Sequence, residues 1–369
     1  MSDSVKVAIN GFGRIGRMAF RRIYEENQPE VGPKLEVVAI NDLSDPANLA
    51  YLLKYDSAHG IFPHEVSYYT EENTKEGTNG GLIVDGRKIP VFAIAASGKP
   101  LSKRNFPNAD ETPVHFPWAK LGVKVVLEST GFYLTKEKAQ IHLDEGAKYV
   151  VMSAPAKDDT PTFVYGVNTD KLNADMHIVS GASCTTNCLS PVLSVLVKKF
   201  GVIGGFMTTV HAYTNDQTTL DLIKAKDFRR GRAAAENIVP TSTGAAKAVK
   251  LVIPEMAGRL DGIAIRVPVL DGSLCDLTIK LKKTVTVDEI NAAEKDASEH
   301  ELKGVMGYNT DPIVSRDILG RTEGSIFDAT ETKVITADGE QFVKVFAWYD
   351  NEYSYTCQFV RLAKKIAAF

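Results

Sequence analysis

The chain has 369 residues, 44% of them hydrophobic and 24% charged, with a formal net charge of −3. This length exceeds one hydrophobic core and predicts two domains, while the near-neutral balance gives no electrostatic footprint for nucleic acid or a membrane surface. No apolar run reaches the roughly 18 residues of a spanning helix, and Cys184, Cys188, Cys275 and Cys357 are too scattered for a disulfide framework.

Met1-Ser2-Asp3-Ser4 leads into strand without a basic, apolar leader, and Ala367-Ala368-Phe369 is not a peroxisomal signal, so a cytoplasmic protein is expected. Val5–Asn10 reads as a short strand running into Gly11-Phe12-Gly13-Arg14-Ile15-Gly16 and a helix through Glu26. That order is the dinucleotide fingerprint: Gly11 for the tight turn, Gly13 for backbone approach to a pyrophosphate, and Gly16 for helix–strand packing. The phosphates then lie at the helix N-terminus. A second strand, Leu35 to Asp42, ends in an acid placed to accept from ribose hydroxyls and repel a 2′-phosphate, which favours NAD over NADP.

The interval from Phe62 to Trp118 holds short strands and turn-rich runs, with Asn73–Gly81 and Ser97–Pro113 read as exposed insertions or loops. Val123–Glu128 then leads into Ser129-Thr130-Gly131, followed by a helix over 136–145 and a strand from Tyr149 to Ser153. This alternation predicts a doubly wound parallel sheet, and Ser129, Thr130, Gly131 and Ser153 are counted with the cofactor site.

His177-Ile178-Val179 is a strand candidate, and Cys184–Phe200 reads as a helix closed by Gly201. Cys184 therefore sits at a helix N-terminus, where the dipole and unpaired N–H groups favour thiolate. A strand from Gly204 to Thr214 carries His211 near its end, the natural base for that sulfur. Cys188, one turn further along the helix, reads as a packed neighbour or a thiol able to trap an oxidised Cys184. A zinc site of Cys184, Cys188 and His211 lacks a standard motif, and no metal is expected. Leu220–Ala235 reads as a solvated, charged loop. Strands at Ile263–Val269, Ser273–Lys283 and Phe342–Trp348, a helix over 287–302 and an amphipathic, basic last helix from about Glu352 to Ala367 complete the chain.

The blocks Asn10–Arg17, Asn41-Asp42-Leu43, Ser180–Cys188, His211–Gln217, Ser242–Lys247, Arg266-Val267-Pro268 and Trp348–Glu352 together resemble the phosphorylating glyceraldehyde-3-phosphate dehydrogenase family of glycolysis over essentially the whole chain. The resemblance implies a Rossmann domain over 1–183, to which the helix over 352–369 returns, and an α+β catalytic domain over 184–351 with a mainly antiparallel sheet. It implies Cys184 as nucleophile and His211 as base. Thr214, Asp216 and Arg266 would hold the substrate phosphate, and Ser183, Thr185, Thr243 and Gly244 the attacking phosphate. Asn351 would hydrogen-bond the nicotinamide carboxamide and fix the ring face presented, with Tyr355 packed near the ring. It further implies D-glyceraldehyde 3-phosphate and inorganic phosphate as reactants, and a homotetramer in which the 220s loop lines a neighbour's cofactor site. An arginine often found near the adenine in the family has no match in Ala95-Ala96-Ser97-Gly98. Erythrose-4-phosphate dehydrogenase and a non-catalytic NAD-binding protein are the alternative readings.

Overall fold

Val5–Asn10 (β1) forms as its apolar run predicts and becomes an interior strand of an eight-stranded sheet. The computed structural model of the chain describes residues 4–25 and 31–369. Two units are present. The first holds the described residues up to Thr162, Leu172–Gly181 and Phe359–Phe369, and the second holds Phe163–Lys171 and Ala182–Gln358.

In the first unit, β1 is followed by Arg14–Glu25 (α1), Leu35–Asn41 (β2) and Pro46–Lys54 (α2). Glu26, the predicted end of α1, lies outside the described residues. Val66–Asn73 (β3), Thr78–Val84 (β4) and Arg87–Phe92 (β5) come next, then the short pair Lys99–Pro100 (β6) and Pro113–Val114 (β7). Trp118–Leu121 (α3), Val125–Glu128 (β8), Lys136–Asp144 (α4), Tyr149–Met152 (β9) and Ile178–Ser180 (β10) complete it. The sheet order is β10-β9-β8-β1-β2-β5-β4-β3. Strands β10 to β5 in that order are parallel and β4 and β3 antiparallel. The chain winds first to one side of β1 and later, through β8, to the other, so the switch point lies between β1 and β8, where Asn10 pairs with Glu128. Ligands of such sheets bind at the carboxyl ends of the strands beside that point.

Two insertion readings are corrected. Asn73–Gly81 is a hairpin of the sheet, not a loop: Tyr69 pairs with Gly81 and Thr70 with Gly80, and a Cβ at Gly80 would lie 2.0 Å from the Tyr69 carbonyl oxygen. Gly80 and Gly81 are there for close strand approach, while Gly77, at φ +74°, makes the turn between the strands. Ser97–Pro113 is irregular, but Leu101, Phe106 and Ala109 are buried in the same core as Phe92 and Trp118, which anchors it.

The second unit opens with Cys184–Phe200 (α5) and Val202–Ala212 (β11), then Val239–Ser242 (β12), Ala245–Val252 (α6), Leu260–Val267 (β13) and Ser273–Leu281 (β14). Val287–Glu299 (α7), Met306–Asn309 (β15), Ser325–Ala337 (β16) and Glu340–Tyr349 (β17) follow, and Tyr353–Ala367 (α8) begins in this unit and belongs to the first from Phe359 onward. The seven-stranded sheet runs β12-β13-β11-β14-β17-β16-β15, antiparallel except for β11/β13 and β15/β16. Val192, Val195 and Leu196 of α5, Val249 of α6 and Ile290 of α7 pack with Met207, Leu277 and Val345 into its core. The thirteen-residue β16 has no counterpart in the sequence reading: Asp328-Ala329-Thr330-Glu331-Thr332-Lys333 masks its alternation, and the pairing with β17 shifts register there. The basic face of α8 is also less solvated than its pattern suggests, since Gln358, Arg361 and Lys364 are buried.

α7 carries an acid into the core. Glu294 is fully buried and neither carboxyl oxygen has a partner among the described residues. Burial pushes its pKa well above the usual carboxylate range, so the folded chain holds the proton. The unfolded chain releases that proton near its ordinary pKa of about 4.3, so stability falls as pH rises above that value. Glu294→Met should raise the melting temperature at pH 8, by about 1–3 kcal/mol of stability, and the gain should shrink toward pH 5. Thermal melts of both proteins at the two pH values check this.

Candidate active site

The strand ends of the first unit build a cavity of about 470 Å³ lined by Asn10, Gly11, Gly13, Asn41, Asp42, Ile94, Ser129 and Thr130, among others. Gly11 has φ +90°, and a Cβ there would stand 2.7 Å from the Thr130 nitrogen. A Cβ on Gly16 would lie 2.1 Å from the Gly11 oxygen, whereas one on Gly13 would meet nothing within 4 Å. The three glycines thus divide as the fingerprint requires, with Gly13 leaving open space for a pyrophosphate. The Asp42 carboxylate accepts from the Phe12 nitrogen at 2.8 Å and the Ser44 nitrogen at 2.9 Å, which fixes its direction and leaves lone pairs for a ribose. Phe12 itself is a core side chain, and Arg14 is paired with Asp56, so both serve this loop through their backbone. Ile15 follows on the first turn of α1. Ser153 donates its nitrogen to the Glu128 carbonyl oxygen at 2.8 Å, and Gly131 takes φ +72° in the turn after β8.

Beneath the cavity lies a polar floor absent from the sequence reading. The Trp118 indole N–H donates to His142 Nδ1 at 3.1 Å, which leaves Nε2 to carry the proton toward Glu128 Oε2 at 3.2 Å. Asn10 Nδ2 donates to the same oxygen at 2.5 Å, and the Thr130 nitrogen to Oε1 at 2.7 Å. Asn41 Nδ2 donates to Asn10 Oδ1 at 2.8 Å. A fully satisfied network thus ties the ends of β1, β2 and β8 to the Thr130 backbone against which Gly11 turns.

In the second unit Ser183 caps α5, accepting from the Thr186 nitrogen at 3.1 Å. That places Cys184 at the first helical position, as its sequence predicts. Its Sγ lies 3.5 Å from His211 Nε2. His211 Nδ1 lies 2.6 Å from the Ala212 carbonyl oxygen, which can only accept, and 3.0 Å from Arg266 Nη1, which can only donate. Because the two Nη1 protons are spent on the Ala212 oxygen and Thr214 Oγ1, the shorter contact puts the imidazole proton on Nδ1 and leaves the Nε2 lone pair for the sulfur. Arg266 sits opposite His211 in the β11/β13 register. Its Nη1 donates to the Ala212 carbonyl oxygen and to Thr214 Oγ1, both at 2.9 Å.

The electrostatics differ from the helix-terminus expectation. Burial pushes the Cys184 thiol up to about 11, against the lowering effects of Arg266 and Thr185. Burial and then Arg266 push the His211 imidazole down to about 3. An isolated thiolate or an isolated imidazolium is therefore disfavoured here. Transfer of one proton from Sγ to Nε2 forms both charges together, each compensating the other.

The anion-site candidates lie in the same unit. Thr185 Oγ1 lies 2.9 Å from the Tyr349 hydroxyl, which in turn is 2.8 Å from Thr209 Oγ1. Thr243 and Gly244 follow β12 and open α6. Asp216 accepts from Thr214 and is ion-paired with Arg230, whose Nε also donates to Thr241 at 3.0 Å. Burial alone would raise the Asp216 carboxyl, but Thr214, Arg230 and Arg266 outweigh it and hold it below the usual range. Asn351 and Tyr355 are buried in the same unit, and the Tyr355 hydroxyl donates to the carbonyl oxygen of Ala182, a residue held at φ +58°. Cys188 turns into the core, its sulfur 3.6 Å from the Ala347 carbonyl oxygen.

Comparison with known proteins agrees with this arrangement. Residues 5–136 match the family model for the glyceraldehyde 3-phosphate dehydrogenase NAD binding domain, and residues 183–351 match that for the C-terminal domain. The chain belongs to the glyceraldehyde-3-phosphate dehydrogenase family. It is 52% identical over 363 residues to glyceraldehyde-3-phosphate dehydrogenase of Clostridium pasteurianum, covering 98% of each chain. Against that of Lactobacillus delbrueckii subsp. bulgaricus the identity is 54% over 360 residues, with 97% of each covered. The relative from Thermotoga maritima is 52% identical over 351 residues, 95% of this chain and 96% of its own.

NAD is the cofactor of this family, and the open space at Gly13 and the fixed Asp42 carboxylate fit it. Arg230 is a member of this cluster that the sequence reading omitted. Its place in the Phe228-Arg229-Arg230-Gly231-Arg232 run made it look solvated, whereas its side chain is 23% exposed and bound to Asp216.

Two outcomes follow from the geometry. His211→Ala should move the pH midpoint for alkylation of Cys184 by iodoacetamide upward by roughly one unit or more, because the lone buried thiol loses its proton acceptor. An unchanged midpoint would mean that the imidazole does not share the sulfur's proton. Asp42→Ala should raise the NAD Kd on the order of tenfold and narrow its gap to NADP, as measured by equilibrium binding.

Proposed function

We propose that this protein converts D-glyceraldehyde 3-phosphate, NAD and inorganic phosphate to 1,3-bisphosphoglycerate through covalent intermediates on Cys184. The observation that carries the reading is the 3.5 Å contact between Cys184 Sγ and His211 Nε2 beside Arg266. Attack of the sulfur on the aldehyde carbon forms a C–S bond, and the thiol proton passes through Nε2 to the carbonyl oxygen, giving a hemithioacetal. Bound NAD supplies the hydride acceptor for the oxidation. His211 Nε2 takes the hydroxyl proton in that step, leaving a thioester on Cys184. A phosphate oxygen then attacks the thioester carbon, the C–S bond breaks, and the thiolate recovers its proton from the imidazolium.

Two anions must be held. Arg266 and Thr214 are assigned to the substrate phosphate. Asp216, a carboxylate that can only accept, is assigned a supporting role through Arg230 and Thr214. Ser183, Thr185, Thr243 and Gly244 are assigned to the attacking phosphate. Asn351 hydrogen-bonds the nicotinamide carboxamide, with Tyr355 near the ring. The dinucleotide domain is assigned to 1–183 with the helix over 352–369, and the catalytic domain to 184–351. A cytoplasmic homotetramer completes the reading. Leu220, Leu222, Ile223 and Phe228 of the 220s loop, each at least two-thirds exposed, support contact of that loop with a second copy.

NADH formation from glyceraldehyde 3-phosphate, with and without phosphate, tests the function. Turnover should require phosphate, and Cys184→Ser should lower it by about 10³-fold or more. Arg266→Ala should raise the substrate KM roughly 100-fold. Equal turnover without phosphate would assign the thioester to water instead.

A further inference from the structure

Asn351 is 6% exposed, and its amide is oriented by two groups. The Gly272 N–H, which can only donate, is shared between Asp271 Oδ1 at 2.8 Å and Asn351 Oδ1 at 3.2 Å, so the Asn351 atom it meets is the amide oxygen. The Ser273 hydroxyl is 1% exposed and accepts the Ala212 N–H at 3.1 Å, so its own proton is directed elsewhere, to the same Oδ1 at 2.6 Å. The Gly272 N–H cannot accept, and with the amide oxygen set against it the Ser273 hydroxyl is the donor of the 2.6 Å bond. Nδ2 has no partner among the described residues. The amide therefore offers a donor alone. A flipped amide would set its NH₂ against the Gly272 donor and present an acceptor.

We propose that Ser273 is a positioning residue for the nicotinamide: its hydroxyl locks Asn351 with Nδ2 outward, which selects the carboxamide oxygen of the cofactor and so the face of the ring presented. The same hydroxyl holds the backbone of Ala212, whose carbonyl oxygen fixes the His211 tautomer. One buried oxygen thus keeps the amide and the base in a common frame. The proposal rests on the assignment of Asn351 to the carboxamide.

The test compares equilibrium binding of NAD with that of ADP-ribose, which lacks the nicotinamide. Ser273→Ala should weaken NAD on the order of tenfold and leave ADP-ribose unchanged, and Ser273→Thr, which keeps the hydroxyl, should restore NAD binding. With aldehyde deuterated at C1, the native protein should deliver deuterium to one face of the ring and Ser273→Ala to both. Asn351→Ala should show the same selective loss of NAD binding. If Asn351→Ala loses NAD affinity and Ser273→Ala keeps both affinity and facial purity, the positioning role is wrong. If Asn351→Ala binds NAD normally, the carboxamide assignment itself fails and the proposal falls with it. Parallel weakening of NAD and ADP-ribose in Ser273→Ala would reduce the residue to general support and also overturn it.

Discussion

The chemistry depends on a constraint on one proton. Desolvation disfavours a charge on either Cys184 or His211 alone, and the short contact of Nδ1 with the Ala212 carbonyl oxygen turns the Nε2 lone pair to the sulfur. The pair can be reactive without an exposed, readily oxidised thiolate, because the two charges arise together when the proton crosses 3.5 Å. Arg266 opposes the imidazolium and favours the thiolate, so an anion bound against its guanidinium would relieve the first effect. In the proposed reaction, the substrate phosphate would then help set the protonation state that the pair requires.

The two units use helix and strand ends in similar ways. In the first, β1 stops at Asn10 and the chain turns at Gly11 into α1, over a floor in which Trp118, His142, Glu128 and Asn10 are hydrogen-bonded to one another. In the second, Ser183 caps α5 so that Cys184 is the first residue inside it. Each turn sits on a rigid sheet and leaves its backbone donors directed at a ligand. Glu294 is the contrasting case, a buried acid that nothing satisfies and that the protein tolerates by keeping it neutral.

Legibility followed the range of the interactions. The strand–glycine–helix unit at Val5–Gly16 and the cysteine-headed helix are local patterns, and both formed where the sequence placed them. Arg266 beside His211 is a product of strand register, and Ser273 beside Asn351 and Tyr349 beside Thr185 are products of tertiary packing, neither of which a local pattern encodes. Without the family resemblance, Arg266 and Asn351 read as ordinary surface and turn residues. Arg230 and the Asn73–Gly81 hairpin were misread for a related reason: a basic run and a cluster of glycines look solvent-facing until a distant carboxylate or a neighbouring strand is brought against them.

The central claim is that oxidation leaves an acyl group on Cys184 which only phosphate removes efficiently. Acid quenching of a single turnover with NAD and glyceraldehyde 3-phosphate, followed by peptide mass spectrometry, tests this directly. Without phosphate, the acyl adduct should accumulate on the peptide containing Cys184, and added phosphate should discharge it as an acyl phosphate. NADH formed with no adduct on that cysteine, or an adduct lost equally fast without phosphate, would contradict the account.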